Sequence, residues 1–306
     1  MITNEVLMVR PSCFGFNPDT SSTNSFQQRV DEGGVNERAQ KEFDDMVAAL
    51  EKEGIKVIKA QDVTGYTGTE NSMTRTPDSI FPNNWVSTYS RNGKRHLVLY
   101  PMCGANRRTE RLGEATKKLQ ERADFTDDMT SYEKESKFLE GTGSMVLDHE
   151  NKICFSAISP RTDSQLVAEW CAKMGYEPIL FTARRSCNQE LFYHTNVLMS
   201  VCPEYAIVCL DVIDPMDRER VTKALSAKPS RPLIAIAEDQ ADRFCGNTLA
   251  LRNSAGSITT VMSTTAANAF STQQKDIIGH ICAVNIPTIE TVGGGSARCM
   301  LAEIFW

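Results

Sequence analysis

Between residues 140 and 181 the apolar positions fall into four blocks with different periods. Ser144–Asp148 is a short apolar run and His149-Glu150-Asn151 a polar turn, with a second apolar run at Ile153–Ile158. After Pro160 the chain is polar, then Leu166, Val167, Trp170 and Met174 recur at helical spacing until Gly175, and Tyr176–Phe181 is apolar again. Short runs bounded by turn residues predict strands, and the 3–4 spacing ended by glycine predicts a helix. The unit reads strand, strand, helix, strand.

The same order recurs along the chain. From residue 194 it predicts strands at Asn196–Val201 and Tyr205–Val212, a helix from Asp217 to Ala227 and a strand at Pro232–Ala237. From Asn247 it predicts strands at Thr248–Arg252 and Ile258–Ser263, one helix over Ala266–Ile278 and a strand at Ala283–Ile289. An earlier copy starts near Asn84, with a hairpin turn at Arg91-Asn92-Gly93, a strand at His96–Tyr100 and a helix at Arg111–Arg122. The copies begin at Asn84, Gly143, Asn196, Asn247 and Ser296, roughly 50 to 60 residues apart, a spacing typical of repeat architectures. The last copy runs out after one strand. The N-terminus supplies its remainder, a strand at Glu5–Val9, a helix at Glu37–Glu53 and a strand at Ile55–Lys59. The expectation is an α/β ring of five ββαβ modules in a single domain over residues 1–306, one module built from both chain ends; closure would leave few free sheet edges. Two long polar stretches, 11–36 and 61–83, break the repeat, and loops of that length are commonly lids or binding loops. They are expected over one mouth of the ring.

Composition narrows the function. With 41% hydrophobic and 24% charged residues the chain is globular, and its net charge of −6 argues against a nucleic-acid surface. The cluster Arg107, Arg108 and Arg111 is interrupted by Glu110 and suits a small anion better than a polymer. No apolar run is long enough for a membrane span, and MITNEVLMVRPSCFGF lacks the pattern of a signal peptide. Ten cysteines without a CxxC pair, set mostly in apolar runs, predict reduced thiols in the cytoplasm. The absence of CxxC and HExxH gives no reason to expect a metal.

In a ring the module starts converge. Glu140 lies just before Gly143, His194 just before Asn196, and Cys299 just after Ser296. A thiol, an imidazole and a carboxylate from three modules would supply nucleophile, acid/base and orienting group. GGGSARC adds backbone that can approach a substrate closely. Alone, each residue has a bland reading: a buried cysteine, a core histidine, a surface glutamate, a glycine turn. Their joint position sets them apart.

LEGTG (Leu139–Gly143), YHTN (Tyr193–Asn196), CGNTLAL (Cys245–Leu251) and GGGSARCMLAE (Gly293–Glu303) resemble, in order along nearly the whole chain, the guanidino-group-modifying enzymes. FPNNW and GGGSARCMLAEIF are most similar to the citrulline-utilisation hydrolase, or amidinotransferase-like, branch. The resemblance implies the five-bladed pentein propeller with pseudo-fivefold symmetry. It also implies Cys299 as nucleophile, His194 as general acid/base and Glu140 as its carboxylate partner, with no cofactor. Arg161, and Arg107 or Arg108, resemble the arginines that hold the substrate's α-carboxylate, with a surface salt bridge as the bland alternative for each. Guanidinium-binding members carry aspartates near Asn84 and at the position of Asn196; asparagine there suits a neutral ureido group, because it offers both an acceptor and donors. The expected partner is therefore a small amino acid, citrulline before arginine. An arginine-type deiminase or dihydrolase, an amidinotransferase, and a non-catalytic binding pentein remain as alternatives, and the sequence leaves open whether the chain forms a homo-oligomer.

Overall fold

The computed structural model describes residues 2–30, 33–62 and 76–306, together with the backbone of 67–68 and 72–73. Parts of the expected loops 11–36 and 61–83 therefore lie outside the described residues. The chain forms five three-stranded sheets with one shared topology: the first strand runs antiparallel to the second, and the third runs parallel to the second. The sheets comprise Val86–Arg91, Lys94–Leu99 and Phe125–Asp128; Val146–Asp148, Ile153–Ala157 and Glu177–Phe181; Met199–Val201, Ala206–Val208 and Leu233–Ala235; Leu249–Arg252, Ile258–Ser263 and Ile281–Val284. The fifth closes the ring, pairing Ala302–Glu303 near the C-terminus with Glu5–Arg10, which also pairs with Lys56–Gln61.

A helical segment joins the second strand to the third in every blade, because parallel neighbours cannot be linked by a tight turn. In Ser164–Met174 the side chain of Asp163 accepts the N–H groups of Gln165 and Leu166, and Gly175 ends the helix at φ 75°. Its buried positions, Leu166, Val167, Trp170, Cys171 and Met174, form one stripe against the core. The long helix Val35–Lys52 buries Ala39, Phe43, Met46, Val47 and Leu50 in the same way.

Four departures from the expected elements have local causes. The helix expected over Ala266–Ile278 is two helices, Thr264–Ala269 and Thr272–Ile278, because Ser271 and Gln274 form a capping box that starts a new helix. The strand expected at Ala283–Ile289 spans Ile281–Val284, and the chain turns helical at Ile289–Gly293. There Glu42 of the long helix accepts the N–H groups of Thr288 and Ile289. The helix expected at Arg111–Arg122 is a 3-10 segment, Asn106–Leu112, followed by Glu114–Gln120. Phe125–Asp128 carried no apolar signal because it is a mostly exposed outer strand. Among the described residues no helix is long and apolar enough to cross a membrane.

Closure through Ala302–Glu303 yields a prediction. Deleting residues 297–306 removes this strand and its pairing with Glu5–Arg10, so the truncated chain should lose its cooperative thermal transition in calorimetry. A sharp transition in that variant would mean the ring is stable open.

Candidate functional site

Each module starts with a tight turn: Pro82–Asn84, Gly141–Ser144, Thr195–Val197, the bend from Phe244 to Asn247, and Ala297–Met300. The turns gather at one end of the ring, and two glycines let them meet. Gly141 has φ 48°, and a side-chain carbon there would lie 2.3 Å from the Asn83 carbonyl oxygen. At Gly143 it would lie 2.6 Å from Asn84 Nδ2 and 2.8 Å from His194 Nδ1. Only hydrogen fits between the amide and the imidazole.

Glu140 and His194 are buried, with His194 Nε2 2.8 Å from Glu140 Oε2. Arg161 Nη1 approaches the same oxygen at 3.5 Å, and the Cys103 N–H donates to Oε1 at 3.0 Å. Burial pushes the Glu140 carboxyl upward, but Arg161, His194 and Arg107 outweigh it and hold it at about 2. Burial dominates at His194 and, helped by Arg161 and Arg107, lowers it to about 4 against the pull of Glu140. The resting imidazole is therefore neutral at neutral pH. Its Nε2 proton points to the carboxylate, and Nδ1 is left as a base beside Gly143.

The Cys299 sulfur is buried and takes its hydrogen bonds from two amides, Asn247 Nδ2 at 3.3 Å and Asn196 Nδ2 at 3.6 Å. No hydrogen bond joins it to His194. Asn247 also donates to the Asn196 carbonyl and accepts the Arg298 N–H, which fixes its amide orientation. The Cys299 N–H donates to the Ser296 carbonyl, and the Ser296 hydroxyl donates to buried Glu290 at 2.6 Å.

The arginines divide. Arg107 is buried and saturated: Nε and Nη2 grip both Glu110 oxygens, Nη2 also reaches the Asp78 and Phe81 carbonyls, and Nη1 donates to Asn84 Oδ1 at 2.7 Å. Arg108 donates to the Met102 carbonyl, pairs with Glu133 at 3.6 Å and covers the Phe138 ring. The Arg107 guanidinium is not open to a substrate carboxylate in this structure, whereas the Arg108 side chain is about 33% exposed. Burial, opposed by Arg107, pushes Glu110 up to about 8. Arg161 lies over the Tyr193 ring and donates to Thr23 Oγ1 and the Thr20 carbonyl, both in the stretch 11–36. That stretch also reaches Asp78 through Asn17, Thr20 and Gln27, and the Gly293 and Gly294 carbonyls through Gln27 and Asn24. It covers the cluster, as its length suggested.

Three members of the cluster were not singled out from sequence as site residues. Asn247 marks a module start inside CGNTLAL, which was its signal. Tyr193 precedes His194 in YHTN and donates from its hydroxyl to the Gly294 carbonyl at 2.7 Å. Asp78 had no signal beyond its place in a long polar stretch.

A ring of five ββαβ sheets with a thiol, an imidazole and a carboxylate at one end defines a pentein of the guanidino-group-modifying superfamily. Residues 10–306 match the family model described as eukaryotic N,N-dimethylarginine dimethylhydrolase, and the chain belongs to that family. No curated protein sequence matches the chain. Among solved structures it is similar to the N-terminal domain of ArgZ, an arginine dihydrolase from the ornithine-ammonia cycle in cyanobacteria. There the TM-score is 0.72 and the identity 16%, over 97% of this chain and 96% of that one. AgrE in a binary complex with L-arginine gives 0.72 at 17% identity, over all of this chain but 40% of the other. A dimethylarginine dimethylaminohydrolase adduct with S-methyl-L-thiocitrulline gives 0.64 at 12% identity, over 99% of each chain. The protein is thus a cysteine-dependent hydrolase of amidine carbon–nitrogen bonds.

The neutral imidazole can be checked directly. In an NMR titration the His194 ring should change charge near pH 4, well below an ordinary histidine at about 6.5. Glu140→Gln removes the group that raises it and should move it lower still. A His194 midpoint in the neutral range would show that burial does not govern this ring.

Proposed function

We propose that the protein hydrolyses a neutral ureido amino acid, citrulline, to ornithine, ammonia and carbon dioxide. The observation that carries the reading is the orientation of Asn84. Arginine can only donate, so the atom 2.7 Å from Arg107 Nη1 must be the amide oxygen. The NH2 group is thereby left on the side of Gly143 that His194 Nδ1 also borders, and a donor in that position suits the oxygen of a ureido group. It repels the N–H edge of a guanidinium. Around this amide, Glu140 is countered by Arg161, and Glu110 and Asp78 lie around Arg107 at 2.9 and 3.9 Å.

In this mechanism Cys299 attacks the ureido carbon as His194 Nδ1 takes the thiol proton, and Asn84, Asn196 and Asn247 donate to the oxygen and sulfur as charge develops. The imidazolium, steadied by Glu140, returns the proton to the δ-nitrogen. The C–N bond breaks, leaving ornithine and a carbamoyl thioester. Water then adds to the thioester carbon with His194 as base, the C–S bond breaks, and the proton passes to the sulfur. The released carbamate decomposes to ammonia and carbon dioxide. Arg161 is the candidate for the α-carboxylate once Thr20 and Thr23 move away.

A second reading, arginine as substrate, is favoured by the names of the structural relatives, one an arginine dihydrolase and another holding L-arginine. Measuring ornithine and ammonia with each substrate separates the two. Wild-type protein should turn over citrulline faster than arginine, and Cys299→Ala should turn over neither. Asn84→Asp with Asn196→Asp should shift the ratio of kcat/KM towards arginine by more than tenfold, since mismatching one buried charge costs about 2 to 5 kcal/mol. A wild-type preference for arginine, or an equal loss of both activities in the double variant, would overturn the citrulline reading.

A further inference from the structure

A second pocket lies away from the catalytic cluster and shares no residue with it. Tyr89, from the first strand of its blade, and Phe305, beyond the last strand, have nearly parallel rings 14° apart with centroids separated by 6.4 Å. With Tyr176 they floor a cavity of about 80 Å³, rimmed by Arg91, Lys152 and His149. A space of this size accepts one ring. Tyr176 Oη lies 2.7 Å from His149 Nδ1, and among the described residues no group bonds the other imidazole nitrogen.

The rim is unusual in an acidic chain. Among the described residues neither Arg91 nor Lys152 is paired with a carboxylate, and no carboxylate lines the cavity. The Lys152 ammonium stands 4.7 Å over the centre of the Tyr176 ring. Its backbone has φ 56°, a conformation that lysine seldom adopts and that glycine or asparagine would take at less cost. Two unpaired cations above an aromatic floor match a flat ring by its faces and an anion by its charge.

We propose that this pocket is a binding site for a one-ring aromatic anion, an aryl carboxylate or aryl phosphate, separate from the hydrolytic site. The ring lies against Tyr89 and Phe305 with Tyr176 at its side, and the anionic group meets Arg91 and Lys152 beside His149.

Calorimetric titration of the full chain with four probes tests it: benzoate, phenyl phosphate, benzamide and cyclohexanecarboxylate. Benzoate or phenyl phosphate should bind at least about tenfold more tightly than benzamide, which lacks the charge, and cyclohexanecarboxylate, which lacks the flat ring. Whichever of the two anions is tighter identifies the group that the rim accepts. Arg91→Ala with Lys152→Ala should weaken that binding at least about tenfold and leave KM for the hydrolysed substrate unchanged. Equal binding of benzamide, binding that survives the double variant, or displacement of the probe by the substrate would each overturn the site. Concentration-dependent self-association that the double variant abolishes would also overturn it, by showing that a second copy of the chain covers this face.

Discussion

A carboxylate with no exposed surface is costly unless every lone pair finds a donor, and Glu140 is in that position. Its three partners come from three parts of the chain: His194 from the next module, Arg161 from the loop after its own second strand, and the Cys103 N–H from the preceding module. Satisfying this one charge therefore fixes the imidazole, an arginine and a backbone segment relative to each other. Removing any of them would leave the others around an under-compensated buried charge, so the site's geometry and local stability rest on the same bonds. The depressed His194 pKa follows from the same burial. The carboxylate raises the imidazole's basicity, but not enough to offset what desolvation takes away.

The ring makes that convergence cheap in sequence. Each module contributes one turn, each turn presents one or two side chains to the axis, and the repeat alone brings residues more than two hundred apart into contact. Asn84, Glu140, His194, Asn247 and Cys299 need no long loops to meet. The requirement is close approach of backbones, which is why Gly141 and Gly143 stand where a single methylene would strike the Asn83 carbonyl, the Asn84 amide and the His194 ring.

Periodicity could be read because burial on one face leaves a pattern: Ile258–Ser263 occurs where the apolar run placed it, and the helices after Asp163 and Asp214 start near their signals. The strand Phe125–Asp128 could not, since an exposed outer strand has no apolar face to show. The break at Ser271 was present as a capping box but lay inside a stretch that also suited one long helix. In the cluster, module starts pointed to Glu140, His194 and Cys299 because reactive side chains there are few. Arg107 and Arg108 were indistinguishable in sequence, as adjacent residues on a polar turn. Only the folded chain distinguishes them, one saturated by Glu110 and Asn84 and the other turned to Glu133.

The amide of Asn84 carries more information than its identity does. Free in solution, a carboxamide offers an acceptor and donors alike, so asparagine in place of aspartate says only that a charge is missing. Arg107 removes the ambiguity by claiming the oxygen, and Asn83 Oδ1 accepts one of the two N–H bonds at 3.0 Å. One N–H bond is left for another partner. An aspartate in the same place would also pair with Arg107, but it would present a second oxygen rather than an N–H, reversing the polarity on that side. Polarity at this position can change without altering the ring, the turns or the Glu140–His194 pair. At 12 to 17% identity the solved relatives establish the shared fold, and the proposed preference for a ureido over a guanidino substrate rests instead on this one oriented amide.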